Sequence, residues 1–171
     1  MLMIRLAVPA DFSVLLSIER RAGERLRGHV AFPVFAAHGL TQDELADGVR
    51  QRRLWVVEYD DRIVIGYLLG GELDGGFHIR QMDVDPAYGR RGHGRALLRH
   101  ACMVGRAEGY RQALLTTLRD VRWNAPFYRS EGFAELPIAL QGEQMRAVLT
   151  HEQALGFPMH LRVAMAKPLG D

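Results

Sequence analysis

Cysteine is nearly missing from this chain: Cys102 stands alone among 171 residues. One thiol builds neither a disulfide framework nor a Cys-based zinc site. A reducing, cytoplasmic compartment is the corresponding expectation. Lysine is as scarce, with Lys167 the single Lys among 22 basic residues and all the others Arg. This reads most simply as a GC-rich genome. Against 20 acidic residues it leaves a net charge of only +2, too little to argue for a nucleic-acid surface. No apolar run approaches the roughly 18 residues of a membrane span. Met1-Leu2-Met3-Ile4-Arg5 has no apolar stretch long enough for a secretion signal. Neither nucleic acid nor a membrane is therefore expected as a partner. The 18 Gly follow no repeat, which excludes a collagen-like chain. What is present is ordinary for a globular protein, 48% hydrophobic and 25% charged. Residues 1–171 read as a single domain.

Met3–Val8 alternates as a short strand, and Pro9-Ala10-Asp11 opens a helix whose apolar residues Phe12, Leu15, Leu16 and Ile18 have helical spacing. Val30–Leu40 is apolar but aperiodic, either core filler or the wall of a pocket. Thr41 and Glu44 form a T-x-x-E capping box that starts a second helix. Leu54–Tyr59 and Arg62–Leu73 read as strands joined in a hairpin at Asp60-Asp61, and Asp74-Gly75-Gly76 marks another turn.

The strand Phe77–Val84 has a fault in its alternation. Phe77 and Ile79 are apolar in one phase, Met82 and Val84 in the other. A β-bulge near Arg80-Gln81 would put all four on one face and leave His78 and Asp83 on the other. Burial on both faces is the simpler alternative. A Gly/Arg-rich loop, Tyr88–Gly94, leads into a helix with Leu97, Leu98, Ala101 and Val104 on its buried side. Strands are expected at Ala113–Leu118, Phe133–Leu140 and Leu161–Ala166, and helices at Asn124–Glu131 and Glu143–Leu155. The order β-α-α-β-β-β-α-β-α-β-α-β describes an α/β fold with antiparallel hairpins and a crossover helix.

The strand–loop–helix junction carries the strongest chemical signal. Backbone amides at a helix N-terminus favour negative charge. Gly92 and Gly94 let the backbone approach a ligand closely, and Arg90, Arg91 and Arg95 add full charges. A pyrophosphate suits such a site. The order of glycines, Gly89, Gly92 and Gly94, is not the Rossmann G-x-G-x-x-G, and the chain has no G-K-[ST] of a Walker A loop.

Gly89-Arg90-Arg91-Gly92-His93-Gly94, after a strand ending Val84-Asp85-Pro86, resembles the acetyl-CoA loop of the GCN5-related N-acetyltransferases, the GNAT superfamily. Their loop reads [QR]-x-x-G-x-[GA], and Gly89 replaces the usual Gln or Arg. A second block, Phe127-Tyr128-Arg129-Ser130-Glu131-Gly132-Phe133, resembles the family's F-Y-x-x-x-G-F segment. The family's Asn lies further upstream of the Tyr than Asn124 does.

The resemblance implies a GNAT-like α/β fold. Its central sheet would be mixed and mostly antiparallel, with splayed parallel strands and flanking helices. It implies acetyl transfer from acetyl-CoA to an amine. No metal is expected, because His29, His38, His93, His100, His151 and His160 show no i,i+4 pairing. The cofactor would lie along Met82, Asp83 and Val84, on the loop residues Gly89, Arg90, Arg91, Gly92, His93, Gly94 and Arg95, and beside Asn124 and Tyr128. Tyr128 would protonate the departing CoA sulfur. His78, with an ordinary pKa of about 6.5, is the candidate base, with Glu24, Asp83 and an ordered water as alternatives. Thr116, Thr117 and Trp123 would line the slot or the acceptor pocket, and Cys102 reads as a packing residue. The acceptor is expected to be a small-molecule amine, and a homodimer stays open. A non-catalytic acetyl-CoA-binding domain is the competing function.

Overall fold

The computed structural model describes residues 1–170, and Asp171, the last residue of the expected domain, lies outside the described residues. In chain order the elements are β1 (Leu2–Leu6), α1 (Phe12–Gly23), α2 (Phe32–Ala37), α3 (Gln42–Arg50), β2 (Leu54–Tyr59), β3 (Ile63–Leu73), β4 (Gly76–Val84), α4 (His93–Ala107), β5 (Gln112–Leu118), α5 (Ala125–Ser130), β6 (Ala134–Glu135), α6 (Glu143–Leu155) and β7 (Arg162–Pro168). The strands form a seven-stranded sheet in the order β1-β2-β3-β4-β5-β7-β6. β4 and β5 are parallel, while β1–β2, β2–β3, β5–β7 and β6–β7 are antiparallel. This is the mixed sheet expected. Two compact units divide the chain, one of Met1–Gly71 with Arg80–Ala101, the other of Glu72–Ile79 with the chain from Cys102 onward.

The core of the first unit is built from Leu15 and Ile18 of α1, Leu45 of α3, Leu54 and Val56 of β2, and Tyr67 and Leu69 of β3. Each is at most 1% exposed, and burial of one such aliphatic side chain contributes about 1.5–3 kcal/mol. Thr41 caps α3 as expected, its hydroxyl accepting from Glu44 N while Glu44 Oε2 accepts from Thr41 N. Arg5 on β1 binds Asp11 through both terminal nitrogens and Glu58 through Nε, which ties the start of α1 to β2.

The core of the second unit gathers Leu73, Leu114 of β5, Met145 of α6 and Ala164 of β7. The turn before β4 caps α6 from far along the chain. Asp74 Oδ1 and Oδ2 accept from Gln144 N and Met145 N, and Gln144 Oε1 accepts from Asp74 N. A buried pair, Arg162 and Glu152, is closed by the Thr116 hydroxyl and by the Phe157 ring under the guanidinium.

Two expected elements differ. Val30–Leu40, read as aperiodic, contains the short helix α2, with Pro33 in its first turn where its missing N–H is harmless. The strand expected over Phe133–Leu140 is only Ala134–Glu135. Leu136 N still donates to Ala164 O, but Pro137 offers no donor and a 3-10 turn follows at Ile138–Leu140.

Candidate active site

β4 meets α4 within each unit. Met82 and Val84 lie beside Gly94 of α4, where an added Cβ would stand 3.8 and 3.6 Å from their methyl carbons. Phe77 lies against Gly105, eleven residues further along the same helix and so on the same helical face. Asp83 points to the opposite face, where the Tyr67 hydroxyl donates to its Oδ2 at 2.5 Å.

β4 hands over to the loop through Asp85. Its N–H donates to Ile65 O, Oδ1 accepts from Ala87 N, and Oδ2 accepts from Arg21 of α1 at 2.6 Å. Burial works to raise the Asp85 pKa, but the Arg21 guanidinium and the Ala87 amide win and hold it below the usual carboxylate range. The chain makes a 3-10 turn at Pro86–Tyr88, and α4 already begins at His93, inside the segment expected to be loop. Arg90 at φ 61° and Gly92 at φ 83° both take the left-handed conformation, which swings the backbone around before the helix. Arg90, Arg91, Gly92 and Arg95 are exposed.

His93, by contrast, is 7% exposed with its ring edge-on to Tyr59, and Nε2 is buried without a hydrogen-bond partner. Burial and the Arg91 charge lower its pKa. Arg25, which the sequence did not single out, lies close enough to Arg90 for that charge to add to burial in depressing its own pKa. The chain thus places a left-handed, glycine-bearing turn with exposed arginines at the N-terminus of α4.

Sequence reasoning also missed a second cluster in the first unit. Gln81 Nε2 donates to Glu19 Oε2 at 2.9 Å and to Asp83 Oδ2 at 3.2 Å. Glu19 Oε2 accepts from Leu40 N as well, at 2.7 Å. Burial pushes the Asp83 carboxyl up to about 7, aided by the Glu19 charge and opposed by the Tyr67 and Gln81 hydrogen bonds. Burial likewise raises Glu19. The sequence clue was the polar Gln81 and Asp83 flanking Met82, but nothing local shows that α1 supplies the partner.

In the second unit His78 is half-buried, in parallel register with Leu114 of β5. Tyr128 of α5 is 9% exposed, with its ring edge-on to Phe127 and Phe133. Gly132 at φ 94° makes the turn that brings Phe133 back onto it. Asn124 precedes α5 without capping it by its side chain, because its Oδ1 accepts from the Thr117 hydroxyl at 2.6 Å. Thr116 is engaged with Glu152 and Arg162. Trp123 is 41% exposed. Cys102 is buried, and burial raises its thiol pKa, as suits a packing residue. Among the described residues no group of His, Cys, Asp and Glu is arranged to hold a metal, and no helix is long and apolar enough to cross a membrane.

Solved structures share this fold. The PaiA N-acetyltransferase of Thermoplasma acidophilum, in complex with coenzyme A, is 14% identical, with 98% of this chain and 99% of that chain covered and a TM-score of 0.73. The ribosomal-protein-S18-alanine N-acetyltransferase of Escherichia coli is 18% identical over 100% of this chain and 96% of that one, with a TM-score of 0.68. N-acetylglutamate synthase from Neisseria gonorrhoeae, complexed with coenzyme A and N-acetylglutamate, is 14% identical with a TM-score of 0.74, covering 100% of this chain and 36% of that chain. The family model of the acetyltransferase (GNAT) domain matches residues 50–135, from the end of α3 to β6, and so takes in β4, the Gly/Arg loop and the Tyr128 segment alike. The chain belongs to the GNAT acetyltransferase family.

Proposed function

We propose that the protein transfers the acetyl group of acetyl-CoA to the primary amine of a small or amino-acid-like acceptor by direct attack. The observation that carries this reading is the turn before α4, with Arg90 and Gly92 left-handed and guanidinium groups around it. That turn would take the pyrophosphate on the backbone amides of residues 89–94. Gly89 offers no side-chain contact, and Arg90, Arg91 and Arg95 would supply the charge in its place. The orphaned Nε2 of His93 suits a polar ligand atom arriving at the start of α4. Met82, Asp83 and Val84 would offer backbone groups to the pantetheine amides, and a strand N–H there would polarise the thioester carbonyl. Tyr128 is assigned the proton donor to sulfur by the family motif. Asn124, already bonded to Thr117, would support the cofactor side of α5.

Proteins of this fold are named for both kinds of acceptor, glutamate in one case and a ribosomal protein's alanine in another. The carboxylates of Glu19 and Asp83 favour a cationic amine here. Holding amine and thioester together supplies the largest rate factor available to such an enzyme. The test is calorimetric titration with acetyl-CoA, followed by thiol release across a panel of amines and amino acids. Amine-dependent release with an N-acetylated product is expected. Binding without release on any amine would favour a non-catalytic acetyl-CoA-binding domain.

A further inference from the structure

We propose that His93 takes up a proton from solvent when the pyrophosphate of acetyl-CoA occupies the turn before α4, so that the cofactor is held more tightly as the imidazole becomes charged. This rests on the acetyltransferase reading and adds to it a pH-dependent control of the cofactor site.

The starting observation is an unsatisfied atom. Nε2 of His93 is buried with no hydrogen-bond partner among the described residues. Such an orphan is costly, and its presence calls for a reason. The ring is packed in place, edge-on to Tyr59 of β2 with 5.7 Å between ring centroids. His93 is also the first residue of α4, where the free amides and the helix dipole already place positive charge.

The side chains around the start of α4 add charge of the same sign. Arg90 and Arg91 lie on the turn before His93, and Arg95 lies two residues after it. The Arg91 charge joins burial in disfavouring the imidazolium. The carboxylates of the neighbourhood are already engaged. Asp85, at the head of the turn, accepts from Arg21 and from the Ala87 amide. Glu58 and Asp60, on either side of Tyr59, accept from Arg5 and from the amino group of Met1. Tyr59 and Tyr88 bring phenol rings, with centroids 6.1 Å apart. An imidazolium in the empty site therefore meets a helix N-terminus and guanidinium groups, with no carboxylate left to pair with it.

A pyrophosphate on the amides of residues 89–94 reverses that field. It brings negative charge to the same turn and acceptor oxygens for an imidazole N–H, and so favours the protonated ring. The coupling is reciprocal, because a proton that the cofactor draws onto His93 strengthens cofactor binding by the same factor. No covalent bond changes. One proton passes from solvent to the imidazole on binding and returns when the cofactor leaves. Acetyl-CoA and CoA carry the same phosphates, so the hold on both weakens as pH rises.

The experiment follows the histidine ring protons of the purified protein by NMR across about pH 5–8. It compares the empty protein with protein saturated with dephospho-CoA. This ligand keeps the pyrophosphate and lacks the 3′-phosphate, which would itself titrate at about pH 6. The His93 signals are those missing from His93→Gln. The His93 pKa is expected to rise by about 1–3 pH units on binding. Calorimetry in buffers of different ionisation enthalpy should show proton uptake between the two pKa values, where Kd should fall by up to about tenfold for each pH unit of acidification. His93→Phe, which keeps a ring against Tyr59, should lose both the uptake and that steepness. A His93 pKa that stays or falls on binding, or a Kd that depends on pH as steeply in His93→Phe as in wild type, overturns the coupling. Failure of both dephospho-CoA and acetyl-CoA to bind wild type at any pH would instead overturn the cofactor site beneath it.

Discussion

A carboxyl that titrates near neutrality inside a folded chain makes that chain less stable as it ionises, and Asp83 is such a group. Its folded pKa of about 7 lies above the ordinary 3.8, so between those values the native state binds more protons than the unfolded one. Its contribution is fully present below about pH 4 and is lost as pH rises through about 7. Glu19, also raised, acts in the same direction. Asp83→Asn, neutral at every pH and still able to accept from Tyr67, should therefore melt higher than wild type above pH 7. That difference should shrink towards pH 4. Thermal denaturation at both ends of that range measures it, and an offset that does not change with pH would contradict the burial of this charge.

In the turn proposed to hold the pyrophosphate, the same scale separates backbone from side chain. Gly92 at φ 83° has open space around it, so Gly92→Ala is resisted by conformation rather than by a clash, at about 1–2 kcal/mol. Acetyl-CoA affinity by calorimetry should fall further for Gly92→Ala than for Arg90→Ala, and the reverse order would put the binding in side-chain charge. Tyr128→Phe should lower kcat by about 10²–10⁴-fold with acetyl-CoA affinity retained, and unchanged turnover would remove Tyr128 from the chemistry.

Between elements, the turn after β3 is what anchors α6. Asp74 is itself left-handed at φ 50° and accepts two amides of the first turn of α6. Asp74→Ala loses both acceptors and should destabilise the protein by about 1–2 kcal/mol, while Asp74→Asn, tolerant of the left-handed conformation, should lose less. Hydrogen exchange at Gln144 and Met145 should quicken in the alanine variant, and an unchanged rate would mean that the cap contributes nothing. Such long-range caps were not legible in the sequence, because Asp74-Gly75 looks like any hairpin turn. What was legible obeyed local rules. The capping box at Thr41 and the helix Glu143–Leu155 stand where pattern placed them. α2 escaped because six residues are too few to show a helical period, and β6 was overextended because the apolar Phe133–Leu140 hid the stop at Pro137.

Over the whole molecule, the loop and the Tyr128 segment were readable because each is contiguous, and the family model spans both. The Glu19–Gln81–Asp83–Tyr67 cluster was not, because its members come from α1, β3 and β4 and only folding collects them. If the N-terminal turn of α4 is a cofactor site, acetyl-CoA at a hundredfold excess over its Kd should stabilise the fold by about 2.7 kcal/mol. At roughly 2–4 °C per kcal/mol for a chain of this size, the Tm should rise by several degrees. The most direct measurement is thiol release from acetyl-CoA by the purified protein, with and without amine acceptors, and mass analysis of the amine. Amine-dependent release of CoA with stoichiometric N-acetylation is the predicted result. Acetyl-CoA left intact in the presence of every amine would contradict it.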